Sequence, residues 1–127
     1  MESRLFLDTH CIIWLAEGKS EMFSPLGVDL LNKHLLCISP IVRLELHFLY
    51  DKNRFFEQPD ITINSLAEKI NLKVDQLGFS QVIGEASQIK WTRDVFDLFI
   101  TAQSQFHNSP LLTKDRNIRA NYQKAIW

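Results

Sequence analysis

Along this chain, short runs of uninterrupted apolar residues alternate with longer stretches whose apolar residues recur at helical spacing. "RLFLD" (Arg4 to Asp8) is a short apolar run that ends in an acid. Apolar at nearly every position, it reads as a strand buried on both faces of a parallel sheet. "THCIIWLAEG" follows, with Ile12, Ile13, Leu15 and Ala16 at helical spacing and Gly18 as a stop. "SPLGVDLLNK" opens on Ser24 as an N-cap with Pro25 at the first helical position. "HLLCIS" reads as a second buried strand. "SPIVRLELHFLYDKNRF" then repeats the Ser-Pro start at Ser39-Pro40 and predicts a helix reaching Tyr50.

The second half continues the alternation. "NSLAEKIN" predicts a short amphipathic helix, and "LKVDQL" a third strand. "FSQVIGEASQI" predicts a helix with Val82, Ile83, Ala86 and Ile89 on one face. "DVFDLFITAQSQFH" is the most apolar helical stretch, which implies packing on several sides. "SPLLTKD" gives a fourth strand, "RNIRANY" a short helix and "AIW" a terminal edge strand. This order predicts an α/β fold with a central, mostly parallel sheet of four to five strands. Right-handed crossovers would put helices on both faces, making a three-layer α/β/α arrangement. With 127 residues and no repeat or long linker, residues 1–127 are expected to form a single domain.

Composition changes this picture little. The chain is 46% hydrophobic with four glycines and four prolines, which fits a globular fold rather than a disordered one. A formal net charge of −1 excludes a globally basic nucleic-acid surface. Any phosphate-bearing partner would have to be held locally, by a few cations or by bound metal. Cys11 and Cys37 each lie among apolar residues, and no CxxC pair is present, so two buried reduced thiols are expected. No apolar stretch is long enough to span a bilayer, and "MESRLFLD" lacks the apolar core of a signal peptide, so a cytoplasmic protein is expected.

The carboxylates carry the chemistry. In a doubly wound sheet, ligands bind beyond the carboxyl ends of the strands. Asp8 closes the first strand and Asp115 follows the fourth. Glu45 lies in the helix leaving the second strand, while Asp94 and Asp97 open the helix that feeds the fourth. Each acid also has an ordinary explanation: Asp8, Asp94 and Asp115 can cap helices, and Glu45 can be a surface charge. Glu45, between Leu44 and Leu46 and near Phe48, is expected in a mostly buried helix. Two carboxylates about 4 Å apart repel by roughly 4 kcal/mol at an effective dielectric of about 20. Gathered together, these acids need protons or a cation, and Arg43, Arg93, Lys114 and Arg116 are too few to neutralise them. Mg²⁺ or Mn²⁺ chooses oxygen ligands of this kind, acidifies a coordinated water and offsets charge on a phosphodiester.

The stretches "LFLDTHCIIWLAEG", "ISPIVRLELHFL", "RDVFDLFITAQSQ" and "LLTKDRNIRAN" together, in this order, resemble the PIN-domain family and within it the VapC-like toxins of toxin–antitoxin pairs. The resemblance implies a metal-dependent endoribonuclease acting on RNA, with Mg²⁺ or Mn²⁺ in an acidic pocket, a cognate antitoxin and a homodimer. By position, Asp8, Glu45, Asp97 and Asp115 match the family's metal-binding and catalytic acids. Asp94 matches a more variable acid and is expected to cap its helix while Asp97 faces the metal. Thr9 and Thr113 stand beside the acids, where their hydroxyls could orient a carboxylate or a coordinated water. Arg93, Lys114, Arg116 and Arg119 are candidates for phosphate contacts, and His10 reads as a helix-start residue. The chain departs from the family pattern at Val95, where proline is frequent, and at Leu98, where arginine is frequent. Trp14, Trp91, Phe55 and Phe56 are candidates for a partner surface, with core packing the simpler fate for most of them.

Two other readings remain at this stage. A phosphoacceptor receiver-like domain would use Asp8, Asp75 and Lys114, although it leaves Glu45 and Asp97 without a role. A catalytically silent PIN-like module would bind RNA or protein without cleaving.

Overall fold

The computed structural model of the chain describes residues 3–127. Five parallel strands form one sheet in the order β3-β2-β1-β4-β5, where β1 is Arg4–Leu7, β2 Leu35–Ile38, β3 Lys73–Val74, β4 Leu111–Leu112 and β5 Ala125–Ile126. Every pair is parallel, so each connection is a crossover that carries helix. Leu5, Phe6 and Leu7 in β1 and Leu111 and Leu112 in β4 are wholly buried, as the uninterrupted apolar runs require of central strands covered on both faces. The "AIW" run does form the edge strand β5.

Among the described residues, seven α-helices flank the sheet. They are α1 (Thr9–Ala16), α2 (Pro25–Lys33), α3 (Pro40–Asp51), α4 (Pro59–Ile70), α5 (Phe79–Ala86), α6 (Val95–Phe106) and α7 (Arg116–Asn121). The two Ser-Pro starts behave as read. Ser24 Oγ accepts from Gly27 N at 2.9 Å, and Ser39 Oγ accepts from Ile41 N at 3.2 Å. Each serine thus satisfies an amide that the first helical turn leaves without a carbonyl. Past the end of α1, Gly18 turns the chain at φ 68°, a left-handed conformation that costs glycine little.

Three details differ from the sequence reading. The helix expected over "NSLAEKIN" begins five residues earlier, because Gln58 caps α4 through Oε1, accepting from Asp60 N at 2.8 Å and Ile61 N at 3.1 Å. Glutamine is an unusual cap, so the start was hidden. Helix α3 is not mostly buried: Val42 and Leu46 face the core, while Leu44 and Phe48 are exposed. In α5, Val82 and Ala86 are buried with Ile89 just past the helix, but Ile83 points outward.

Helix α6 is wrapped as its composition implies, with Ile100, Thr101, Ala102, Gln103 and Ser104 all buried. Leu98, Phe99 and Ala102 meet Val82, Ala86 and Ile89 on the α5 side, and Ile100 joins the main core. Gln103 lies over the sheet, where its Oε1 accepts from Ser39 Oγ at 2.6 Å and its Nε2 donates to Asp75 at 2.9 Å. This packing fixes the rotation of α6 and hence the direction of Asp97 in its first turn. Cys11 and Cys37 are buried and free, as expected. Of the aromatic residues considered for a partner surface, Phe55 is buried and Trp14 and Trp91 pack on the core, whereas Phe56 is exposed. Among the described residues, no helix is long and apolar enough to cross a membrane.

Candidate functional site

The sheet order reverses between β1 and β4: the chain progresses outward from β1 to β3 and then returns to β4 on the other side of β1. Connections leave these two neighbours in opposite directions and open a crevice at their carboxyl ends. Asp8 leaves β1 there, its amide donating to Leu112 O at 3.2 Å, and Thr113 and Asp115 leave β4 beside it.

Asp8 is held from two sides. Oδ1 accepts from Thr9 N at 2.6 Å, capping α1, and Oδ2 accepts from Thr113 Oγ1 at 2.6 Å. Burial pushes its carboxyl up, the two hydrogen bonds pull it back, and the charge of Asp115 adds to the rise. Glu45 projects from the second turn of α3, where Oε1 accepts from Thr9 Oγ1 at 2.5 Å. Its carboxyl is also raised, first by burial and further by Asp8 and Asp94, against the Thr9 bond. Thr9 therefore joins α1 to α3 and serves both acids, through its amide and its hydroxyl.

Asp94 and Asp97 divide their roles. Asp94 Oδ1 accepts from Asp97 N at 3.0 Å and caps α6. The Asp97 carboxyl is pushed up to about 7, first by burial and then by Asp94, Asp115, Asp8 and Glu45 in turn. Asp115 caps α7 through Oδ1, which accepts from Ile118 N at 2.9 Å, and its own amide donates to Thr113 Oγ1 at 3.1 Å. The structure thus brings the other four acids within electrostatic reach of Asp97. Capping is a real duty for Asp8, Asp94 and Asp115, but it gives no account of Glu45 or Asp97.

Among the described residues, no arginine or lysine forms an ion pair with these acids. Arg43 is committed to Asp60, with Nε 2.6 Å from Oδ1. Arg93, Lys114, Arg116 and Arg119 stand at the surface beside Asp94 and Asp115 in sequence, and Arg119 Nη2 donates to Lys114 O at 3.2 Å. At Leu98, where the family pattern often has a cation, the side chain packs against α5 instead. His10 is exposed at the start of α1 and lowers the carboxyls of both Asp8 and Glu45.

The donor set suits a hard divalent ion: four carboxylates, two hydroxyls and no sulfur ligand. The geometry is not a closed coordination shell. Among the described residues, no three His, Cys, Asp or Glu side chains form a ready-made ligand group. Several carboxylate oxygens instead face hydroxyls and helix amides. Mg²⁺ tolerates such a site, because it keeps most of its waters and takes only one or two carboxylates directly.

Asp75 does not belong to this cluster. It accepts from Gln103 Nε2 at 2.9 Å and His107 Nε2 at 3.0 Å, with Arg4 Nη1 at 3.5 Å, and these hydrogen bonds hold its carboxyl low against the effect of burial. A phosphoacceptor must face a nucleophile-accepting pocket, and this side chain is closed off by partners. The sheet order 3-2-1-4-5 also differs from the 2-1-3-4-5 order of receiver-type folds. The receiver-like reading is therefore overturned.

Comparison with known proteins agrees with this fold. The family profile of the PIN domain matches residues 5–124. A solved structure of VapBC2 from Rickettsia felis, bound to a DNA fragment from its promoter, is similar over 92% of each chain, with a TM-score of 0.64 and 17% identity. A toxin–antitoxin complex from Klebsiella pneumoniae is similar over 98% of this chain and 97% of that one, with a TM-score of 0.64 and 19% identity. At such identities the likeness concerns the fold. No curated protein sequence matches significantly.

Proposed function

The chain belongs to the PIN-domain family, and from that premise we propose that it is a divalent-ion-dependent endoribonuclease, the toxin of a toxin–antitoxin pair, working as a single domain over residues 1–127. The observation that carries this reading is Asp97: a half-buried carboxyl pushed up to about 7 beside four other acids, with no cation to compensate it among the described residues. An ion that binds the deprotonated cluster relieves that repulsion and creates affinity for phosphate where the acids alone would repel it. Asp8, Glu45, Asp97 and Asp115 would hold Mg²⁺ or Mn²⁺. When bound, the ion would supply a more acidic water and positive charge opposite the scissile phosphodiester.

The remaining roles belong to the protein. Thr113 and the Thr9 amide fix the Asp8 carboxylate, and the Thr9 hydroxyl fixes Glu45. Asp94 sets the first turn of α6 and so aims Asp97. Arg93, Lys114 and Arg116, exposed next to the acids, would contact phosphates on either side of the cleaved bond. The expected result is cleavage of RNA by the purified chain with Mg²⁺ or Mn²⁺, abolished by chelator and by Asp8→Asn, measured on end-labelled transcripts. Cleavage that persists in excess chelator would defeat the reading, and RNA binding with no cleavage under any divalent ion would favour the silent module.

The two solved structures named above are toxin–antitoxin complexes, which supports an antitoxin partner. A homodimer is supported by an apolar strip on α3, α5 and α6, where Leu44, Phe48, Phe79, Ile83 and Val95 are exposed beside a groove of about 350 Å³. Phe79, the most exposed at 70%, is the residue to change. Phe79→Glu is expected to shift the purified chain from dimer to monomer in sedimentation equilibrium while leaving its helical content intact.

A further inference from the structure

Four acids of the cluster have donors to hold them: Asp8 takes Thr113 Oγ1, Glu45 takes Thr9 Oγ1, Asp94 takes the amide of Asp97, and Asp115 takes the amide of Ile118. Asp97 is the exception. Its own amide donates to Asp94, but its carboxylate takes no hydrogen bond from any described residue. One turn further along α6 lies the complementary exception. Thr101 is wholly buried, and among the described residues its Oγ1 is the one buried side-chain polar atom with no hydrogen-bond partner.

Residues four apart share a helix face, their β-carbons about 6 Å from each other. The other faces of α6 are accounted for: Leu98, Phe99 and Ala102 meet α5, Gln105 bonds Glu85, and Gln103 bonds Asp75 and Ser39. That leaves Thr101 under Asp97, on the arc that turns inward with Ile100 and Ser104. An acceptor without a donor thus stands one turn before a donor without an acceptor, and helical side chains lean back toward the preceding turn. Buried polar groups are rarely left unpaired.

On the proposed-function reading of the acidic cluster, we propose that Thr101 is the positioning residue for Asp97: its hydroxyl donates to the Asp97 carboxylate once that side chain turns to ligate the ion, and holds it in that direction. Each of three acids would then have its own threonine, with Thr113 serving Asp8, Thr9 serving Glu45 and Thr101 serving Asp97. Thr101 is set in the middle of the most apolar helical stretch of the chain, where a hydroxyl contributes nothing to packing that a methyl would not.

Isothermal titration of the full chain with Mn²⁺ alone tests this without any substrate. Thr101→Val exchanges the hydroxyl for a methyl of the same shape. It is expected to weaken Mn²⁺ binding about tenfold, the usual order for loss of a group that orients a ligand. Thr101→Ser, which keeps the hydroxyl, should bind Mn²⁺ within about twofold of the parent. The metal-free melting temperature of Thr101→Val should equal or exceed the parent's, because a merely structural threonine would lower it and leave the affinity alone. Should the valine variant fold poorly, Thr101→Ala removes the same hydroxyl with less bulk and should show the same loss of affinity. Asp8→Asn separates the two ideas. If Asp8→Asn loses Mn²⁺ while Thr101→Val binds it like the parent, the role of Thr101 is refuted and the site stands. If the parent takes up no Mn²⁺, or Asp8→Asn binds it unchanged, the site itself is refuted and Thr101 with it.

Discussion

Asp97→Asn is expected to reduce divalent-dependent RNA cleavage by at least about a hundredfold while making the metal-free protein more stable at pH 8. The two effects have one origin. Asp97 carries a carboxyl whose ordinary value of 3.8 is raised to about 7 in the folded chain. Below pH 3.8 the group is protonated whether folded or unfolded and contributes nothing. As pH rises toward 7, the unfolded chain loses the proton first, so the folded state is progressively disfavoured. Above about 7 the full penalty is in place. A shift of this size corresponds to about 4 kcal/mol. Partial exposure and water screening reduce the usable figure to about 1–2 kcal/mol. Asparagine fills the same volume with no charge to desolvate. The melting temperature of the variant should therefore match the parent at about pH 4 and exceed it by about 3–8 °C at about pH 8. Differential scanning calorimetry in chelator across that range would show it. A variant that cleaves at the parental rate, or gains no stability at high pH, would mean that Asp97 lies outside the acidic cluster.

The sequence made the strands and the acids legible for the same physical reason. A buried parallel strand must be apolar throughout, so a carboxylate just past one, as Asp8 directly follows β1 and Asp115 comes three residues after β4, marks the rim where the sheet ends. The Ser-Pro starts at Ser24 and Ser39 are local events, readable from two adjacent residues. What stayed hidden depends on residues far apart. The closure of Arg4, Asp75, Gln103, His107 and Ser39 over the sheet joins four elements and leaves no local trace. The commitment of Arg43 to Asp60 removed a cation that looked available to the acids. Glu45 was read as one acid in a buried helix, yet α3 is buried along one side only. Its environment comes instead from Thr9, thirty-six positions away in the chain. Thr101 went unnoticed because a threonine within an apolar helix carries no signal until its surroundings show that the hydroxyl is alone.

Adding Mn²⁺ should reverse the pH trend of stability, with a small rise in melting temperature at about pH 5 and a large one at about pH 8. Asp8, Glu45 and Asp97 are all raised above their ordinary values in the folded chain, so each makes the metal-free protein less stable as pH climbs through its folded pKa. Asp60 and Asp75 run the other way, since Arg43 holds the first low and Gln103 and His107 the second. Their contribution is complete above the ordinary carboxylate range and disappears only in acid, so it does not slope between pH 5 and 8. A divalent ion binds the deprotonated acids and competes with protons, which makes its affinity increase over the range where the free protein weakens. At an ion concentration about a hundred times the dissociation constant, the gain is about 2.7 kcal/mol, or roughly 8–13 °C for a chain of this length. Melting curves in Mn²⁺ and in chelator should therefore diverge as pH rises, and in Asp97→Asn they should stay nearly parallel. Curves that remain superimposed at every pH would show that the carboxylates sharing this crevice repel one another without any ion to reconcile them, and the nuclease assignment would lose its physical basis.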